Sequence, residues 1–214
     1  MSNPNFDFKN TIVWRIFRIM AEFVEGFELI TNYHKTVSIF GSTRLKEGDP
    51  SYEEARSLAQ MLGKNGFTVV TGGASGIMEA ANRGASEVNA ESIGLNIKLP
   101  HEQEMNQYVT QSLNFHYFFT RKVMLAFAAE AYVFFPGGFG TLDELTELIT
   151  LIQTKKIKPV PIIMVGGKHW QPLLDWINTT LKTGKYIDAD DTKLYRLVNS
   201  AEEAYDIILN SIKG

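Results

Sequence analysis

Apolar positions recur along this chain with two alternating periods. Over residues 11–33, Val13, Ile16, Phe17, Met20, Phe23, Val24, Phe27 and Ile30 return every three or four places, and Arg15, Arg18, Glu22 and Glu25 fall mostly on the other side. That spacing predicts an amphipathic helix with a heavy aromatic load. Its simplest use is to cover the sheet of its own domain, and its alternative use is to pack on a second subunit. Short apolar runs at 37–40, 67–71, 92–97, 131–135, 160–165 and 194–198 read as buried strands. Pro161 places its run at a sheet edge or at a strand start. Between the runs lie helical stretches. Asp49 and Pro50 open one that ends near Lys64, and a second runs from Ile77 to about Val88. Thr120 caps a third, a fourth follows Gly140, and a fifth covers 169–181. Ser200 and Glu203 form a capping box for a last one ending at Ile212. Residues 1–10 read as a frayed start and 99–104 as a polar loop. The cluster Phe115, His116, Tyr117, Phe118 and Phe119 fits a strand, a core, or a lining for a flat ligand such as a nucleobase. Strands alternating with helices predict an α/β fold, a doubly wound and mainly parallel sheet in a single domain over 1–214.

Two strand-to-helix junctions are rich in glycine. The run Ala131-Tyr132-Val133-Phe134-Phe135 leads into Pro136-Gly137-Gly138-Phe139-Gly140-Thr141-Leu142-Asp143-Glu144. Glycines there let a ligand approach the backbone, and a helix start offers free N–H groups at the positive end of its dipole. The reading is a phosphate held on Gly137, Gly138, Gly140 and Thr141. Thr141 and Glu144 also match a capping box, with Thr141 as N-cap. The second junction is Gly72-Gly73-Ala74-Ser75-Gly76, and two such turns favour a polyanionic ligand between them. Glu79 on the following helix can reach a ligand, or pair with Arg83 four residues on. After the first strand, Ser42, Thr43 and Arg44 offer hydroxyls and a guanidinium at a strand's C-terminal end, where open α/β sheets bind ligands. Arg121 and Lys122 stand near a helix start, where cations oppose the dipole, a placement that hints at function.

Composition removes several classes. With 214 residues and 44% hydrophobic content the chain has enough material for a full core. A net charge of -3 provides no basic field for nucleic acid. There is no cysteine, which excludes disulfides and thiol chemistry and is compatible with a cytoplasmic setting. No signal-peptide pattern and no membrane-spanning apolar run is present. The first strand lacks Gly-x-Gly-x-x-Gly, no glycine loop continues into Gly-Lys-Ser/Thr, and no Gly-x-Ser-x-Gly occurs. The four histidines, His34, His101, His116 and His169, are isolated, with no metal-ligand spacing.

What remains is a phosphate cradle with Asp143, Glu144 and Glu147 beside it. A carboxylate near a phosphate opposes binding but favours a cation that develops next to it. Cleavage of an N-glycosidic bond makes an oxocarbenium-like ribose, which a carboxylate stabilises or supplies with oriented water. A nucleoside 5′-monophosphate fits that geometry, with phosphate on the helix start and ribose beside the acid.

These residues resemble a known family. Pro136 to Glu144 is similar to the Pro-Gly-Gly-x-Gly-Thr-x-x-Glu signature of the Lonely Guy (LOG) proteins, cytokinin riboside 5′-monophosphate phosphoribohydrolases long mislabelled as lysine decarboxylases. Arg121-Lys122 with Met124 resembles the family's upstream motif, and Thr71 to Ala85 the glycine-rich segment of its broader bacterial branch. Ala74 departs from the pattern, where a third glycine is more usual. The resemblance covers about 37–167. It implies a Rossmann-like fold, a homodimer or larger assembly with its site near the subunit interface, and no metal or redox cofactor. It also implies Arg121 and Glu144 as the catalytic pair. Phosphate would lie on Gly138, Gly140 and Thr141, with Ser42, Gly72 and Gly73 nearby and Lys122 adjoining. The expected reaction converts a nucleoside 5′-monophosphate of adenine or N6-modified adenine type, plus water, to free base and ribose 5-phosphate. The alternative is a nucleotide-binding or cofactor-carrier protein of the same fold that does not hydrolyse. Lysine decarboxylation is a weaker third reading, since no lysine stands in a convincing Schiff-base setting.

Overall fold

The computed structural model describes residues 12–98 and 105–212. The expected start at 1–10 and loop at 99–104 lie outside them. The elements are α1 (Ile12–Ile30), β1 (Thr36–Phe40), α2 (Pro50–Lys64), β2 (Thr68–Thr71), α3 (Ile77–Ser86), β3 (Ser92–Ile97), β4 (Gln111–Phe115) and α4 (Phe118–Phe127). Then come β5 (Ala131–Phe134), α5 (Phe139–Gln153), β6 (Ile162–Val165), α6 (Gly167–Trp176), β7 (Arg196–Val198) and α7 (Ala201–Ile212). A π-helical stretch (Ile177–Lys182) prolongs α6, and a 3-10 turn (Ala189–Lys193) precedes β7.

The strands form one seven-stranded sheet in the order β4-β3-β2-β1-β5-β6-β7. Every pairing is parallel. The chain builds outward from β1 to β4, then returns to the other side of β1 to begin β5. The direction of winding therefore reverses between β1 and β5, and in such sheets the crevice opens beyond the C-terminal ends of those two strands. Both ends carry the loops singled out above. The Ser42 amide donates to the Pro136 carbonyl at 3.0 Å, tying one loop to the other.

Alternation along each strand feeds two cores. Val37, Ile39, Val69, Val133 and Ile163 meet α2, α3 and α7 on one face. Phe40, Val70, Leu95, Phe134 and Met164 meet α4, α5 and α6 on the other. Phe40 and Phe134 stack with centroids 4.9 Å apart directly under the crevice, which gives its floor a rigid base.

Several expectations change. Pro161 stands at the start of β6, one of its two expected places, and since β6 is an internal strand the edge alternative falls away. Thr120 is not a cap: α4 begins at Phe118 with Tyr117 as N-cap, so Arg121 and Lys122 stand a turn into the helix. Ser200 does accept the Glu203 amide at 3.3 Å, but Glu203 returns its carboxylate to the Asn199 amide at 2.9 Å instead of to Ser200. The cluster at 115–119 divides, with Phe115 in the core and Phe118 and Phe119 about half exposed. The largest correction concerns α1. Most of its apolar stripe faces away from the sheet: Ile12, Val13, Ile16, Phe17, Met20, Val24 and Phe27 are 41–76% exposed, while Phe23, Leu29 and Ile30 pack partly against the core and Glu22 and Gly26 are buried. The helix is amphipathic, but the side it turns inward combines Glu22 and Gly26 with Phe23, Leu29 and Ile30.

Candidate functional site

The crevice above β1 and β5 is a cleft of about 680 Å³, in the range of small-molecule sites. The loop after β1 lines one wall with Gly41, Ser42, Thr43 and Arg44, and the start of α5 lines the other with Gly138, Phe139, Gly140, Thr141, Asp143 and Glu144. Arg121 enters from α4 with Phe118, and Phe40, Met78 and Ile97 supply apolar surface.

The start of α5 differs from the expected capping box. The N-cap is Gly138, which has no side chain to cap with, and Thr141 is the third helical residue. Glu144 is therefore six residues in and too far along to bond the N-cap amide. The Thr141 and Leu142 amides both bond to the Gly138 carbonyl at 3.0 Å, and the Gly137 amide to His169 Nε2 at 3.4 Å. Among the described residues the amides of Gly138, Phe139 and Gly140 have no protein acceptor, nor does the Thr141 hydroxyl have a partner. No acidic residue occupies the first turn. An uncapped helix start opening on a cleft, with free amides and an adjacent hydroxyl, is suited to an anion.

Arg121 and Glu144 carry the opposing charges. Arg121 Nε donates to the Leu95 carbonyl at 2.7 Å, which fixes the guanidinium plane and leaves both Nη groups without a protein partner among the described residues. Burial pulls its pKa below the ordinary arginine value, and the Glu144 charge acts against that pull. Glu144 is 8% exposed. Burial lifts its carboxyl above the usual carboxylate range, while Lys122 and Arg121 hold it down in part.

Gly72 lies beneath Arg121, and a Cβ there would run into Arg121 Nη2 and Met78 Sδ. The junction at Gly72 to Gly76 thus seats the arginine and does not line the cleft. Gly73 is buried behind it against Gly94, held by its amide's 2.9 Å bond to the Thr71 hydroxyl. Glu79 stands away from the cleft and accepts from the Tyr52 hydroxyl at 3.4 Å, while Arg83 pairs with Glu47 at 2.9 Å and Glu87 at 3.1 Å. Lys122 is also off the cleft. Its ammonium lies 2.7 Å from Asp143, 2.8 Å from Glu147 and 3.4 Å from Glu144. Burial alone would lower its pKa, but Asp143 and Glu147 more than reverse that, and the net shift is upward.

Phe118 comes from the aromatic cluster that offered a lining for a flat ligand, whereas Met78 and Ile97 were not legible as site residues, because each reads locally as part of an apolar face. Among the described residues no group of His, Cys, Asp and Glu is arranged to hold a metal. No helix among them is long and apolar enough to cross a membrane.

A family model described as "Possible lysine decarboxylase" matches residues 78–208. The cytokinin riboside 5′-monophosphate phosphoribohydrolase LOG of Oryza sativa subsp. japonica is 31% identical over 163 residues, 74% of this chain and 65% of that protein. The chain therefore spans less than two thirds of that relative's length. LOG7 of Arabidopsis thaliana, of the same described activity, is 32% identical over 158 residues, 70% of each chain. Among solved structures, a structural-genomics target, TM1055, has a TM-score of 0.63 at 26% identity, covering 83% of this chain and 99% of that one. The molybdenum cofactor carrier protein of Chlamydomonas reinhardtii has a TM-score of 0.63 at 19% identity, covering 84% and 98%, a likeness of fold.

Proposed function

From the chain's membership in the LOG family, the family of the "Possible lysine decarboxylase" model, we propose that it is a phosphoribohydrolase acting on nucleoside 5′-monophosphates. The observation that carries this reading is the meeting, in one cleft, of an uncapped helix start with the charged pair Arg121 and Glu144. The 5′-phosphate is bound by the amides of Gly138, Phe139 and Gly140 and the Thr141 hydroxyl. The ribose then lies against Glu144, which stabilises the oxocarbenium-like transition state and orients the attacking water. The two free Nη groups of Arg121 orient the substrate and support the departing base. Phe40, Met78, Ile97 and Phe118 provide the apolar surface for a purine, adenine or an N6-modified adenine. The reaction consumes one water: the C1′–N bond breaks, the base takes a proton, and ribose 5-phosphate keeps the hydroxyl. No metal or redox cofactor enters this scheme.

Decarboxylation of lysine through a Schiff base needs a lysine whose pKa is lowered. The cleft lining contains no lysine, and neighbouring Lys122 is shifted upward.

Incubation with AMP, isopentenyladenosine monophosphate and the other purine and pyrimidine monophosphates tests the proposal. Release of free base and ribose 5-phosphate is the expected result. Tight binding of a monophosphate without release would instead identify a nucleotide-binding or carrier protein.

The exposed stripe of α1 is assigned to a second copy of this chain. It continues onto α4 through Phe127, whose ring stands edge-on to Phe27 at 6.0 Å, and α4 also exposes Phe118 and Phe119. These ten side chains make a surface on the order of the ~800 Å² per partner that a standard interface buries. Phe118 belongs to both the patch and the cleft lining, which brings a partner close to the site. The absence of cysteine and the net charge of -3 fit a cytoplasmic protein that does not bind nucleic acid.

A further inference from the structure

α1 precedes the segment matched by the family model, which begins at Met78, and none of its residues lines the cleft. It nonetheless reaches the helix that carries Arg121. Glu22 is 7% exposed, although it is a carboxylate on an otherwise half-exposed helix. Its Oε1 accepts the His116 amide at 2.8 Å and lies 3.3 Å from His116 Nδ1. Its Oε2 lies 3.4 Å from the Tyr117 amide and 2.5 Å from the Thr120 hydroxyl, which shares its proton with the Tyr117 carbonyl at 2.7 Å. One turn later Gly26 lets the two helices touch, since a Cβ there would run into Met124 Sδ and Cγ. Glu22 with Thr120 and Gly26 with Met124 are each four residues apart on their own helix. The contact is therefore two matched turns of helices running in the same direction.

The location has an electrostatic meaning. α4 has no acidic residue in its first turn, yet carries Arg121 and Lys122 at its fourth and fifth positions. Cations near a helix start oppose the macrodipole, and an anion there restores the balance. Glu22 is that anion, supplied from 94–98 residues away. A buried carboxylate with several hydrogen bonds also has a narrow range of geometry, because losing one partner leaves it unsatisfied.

We propose that Glu22 is a positioning residue: it clamps the start of α4 through His116, Tyr117 and Thr120 and thereby sets where Arg121 stands over the cleft. The catalytic part of this inference rests on the phosphoribohydrolase reading, while the positional part stands without it.

The test uses the full chain with Glu22→Gln, which keeps size but removes the charge, and Thr120→Val, which removes the hydroxyl at equal shape. Leu29→Ala, in the part-buried side of α1, is the comparison for a purely structural loss. The first readout is solvent exchange of the Arg121 Nε–H, seen by nitrogen-15 NMR. Its bond to Leu95 predicts slow exchange in the parent, at least several-fold faster exchange in Glu22→Gln and Thr120→Val, and no change in Leu29→Ala. The second is steady-state hydrolysis at 25 °C. Misplacement of a positioned group by about 1 Å can cost on the order of 100-fold. The expectation for Glu22→Gln is a kcat lower by about 10- to 100-fold with KM within about threefold, and a smaller kcat loss for Thr120→Val. Leu29→Ala should lower Tm and leave kcat within about twofold. Unchanged Nε–H exchange in both clamp variants would overturn the proposal, as would kcat losses in Leu29→Ala equal to theirs at equal folded fraction. If no monophosphate is hydrolysed by the parent, the exchange readout alone decides on Glu22, so the two readings fail separately.

Discussion

Lys122 Nζ lies 3.4 Å from Glu144 Oε1, yet stands closer to Asp143 and Glu147, so one ammonium is shared among three carboxylates. Burial raises the Glu144 carboxyl above the ordinary carboxylate range, and the shared Lys122 offsets that only in part.

That sharing predicts a pH effect. Lys122 lowers the Glu144 pKa, so Lys122→Ala removes a restraint and moves it further up. If the ionised form is the active one, the acid limb of the kcat/KM profile begins above the ordinary carboxylate range in the parent. In Lys122→Ala the limb moves to higher pH. A limb at the same pH in both would show that Lys122 does not control this group.

Glu144→Gln should separate activity from stability. The folded state holds the Glu144 proton more tightly than the unfolded chain does, so its stability contribution is lost as pH rises from the ordinary to the raised pKa. The neutral amide avoids that loss. Calorimetry at pH 7 should find Tm equal to or above the parent, with the gap closing below the ordinary carboxylate range. Turnover should fall by at least about 100-fold, the usual scale for removing a transition-state electrostatic group.

Gly72→Ala should disable the site from underneath. The added methyl meets Arg121 Nη2 and Met78 Sδ, so the guanidinium is displaced from a seat fixed by the Leu95 carbonyl. A kcat loss of roughly 10- to 100-fold is expected. Circular dichroism and titration with a monophosphate should show a folded protein that still binds phosphate.

A pair of substitutions on the outer face of α1, Phe17→Asp with Val24→Asp, tests the assignment of that surface. Light scattering should report a dimer or larger species for the parent and a monomer for the variant. A monomeric parent at micromolar concentration would remove the assignment.

Glu87 provides a stability test remote from the cleft. Its carboxylate, at the end of α3, joins that helix to α2 through Arg56 and Gln60 and pairs with Arg83 one turn back on α3. Arg56 in the first place lowers its pKa to about 2. A lowered folded pKa gives stability that is present above the unfolded value and lost as pH falls through the folded one. Glu87→Gln should therefore melt lower than the parent at pH 7. The difference should shrink between about pH 4.3, the unperturbed glutamate value, and about pH 2, the Glu87 value.

The sheet and both glycine junctions were legible because their signals are local: a strand period, a turn and a helix period within a dozen residues. Gly138 as N-cap was less visible, since a capping glycine has no side-chain signature, whereas Thr141 with Glu144 mimics one. The exposure of α1 was hidden because amphipathicity reveals that a helix has two faces and not which of them meets the protein. Gly26 shifted the contact toward a side that carries Glu22 as well as Phe23 and Ile30. Glu22, Lys122 and Gly72 were misread or missed for a common reason. Their partners come from other elements, 94–98 residues away for Glu22 and 49 for Gly72, counted from residue 72 to residue 121.

The central place of β1 has a further consequence. The segment matched by the family model begins at Met78, after β1 and β2 have ended, although the curated relatives align over a longer stretch. Yet β1 joins the two halves of the sheet, and Ser42 at its end is tied to Pro136 across the crevice. A gene fragment trimmed to residues 78–208 would encode two half-sheets with no shared strand, and a cleft with one wall.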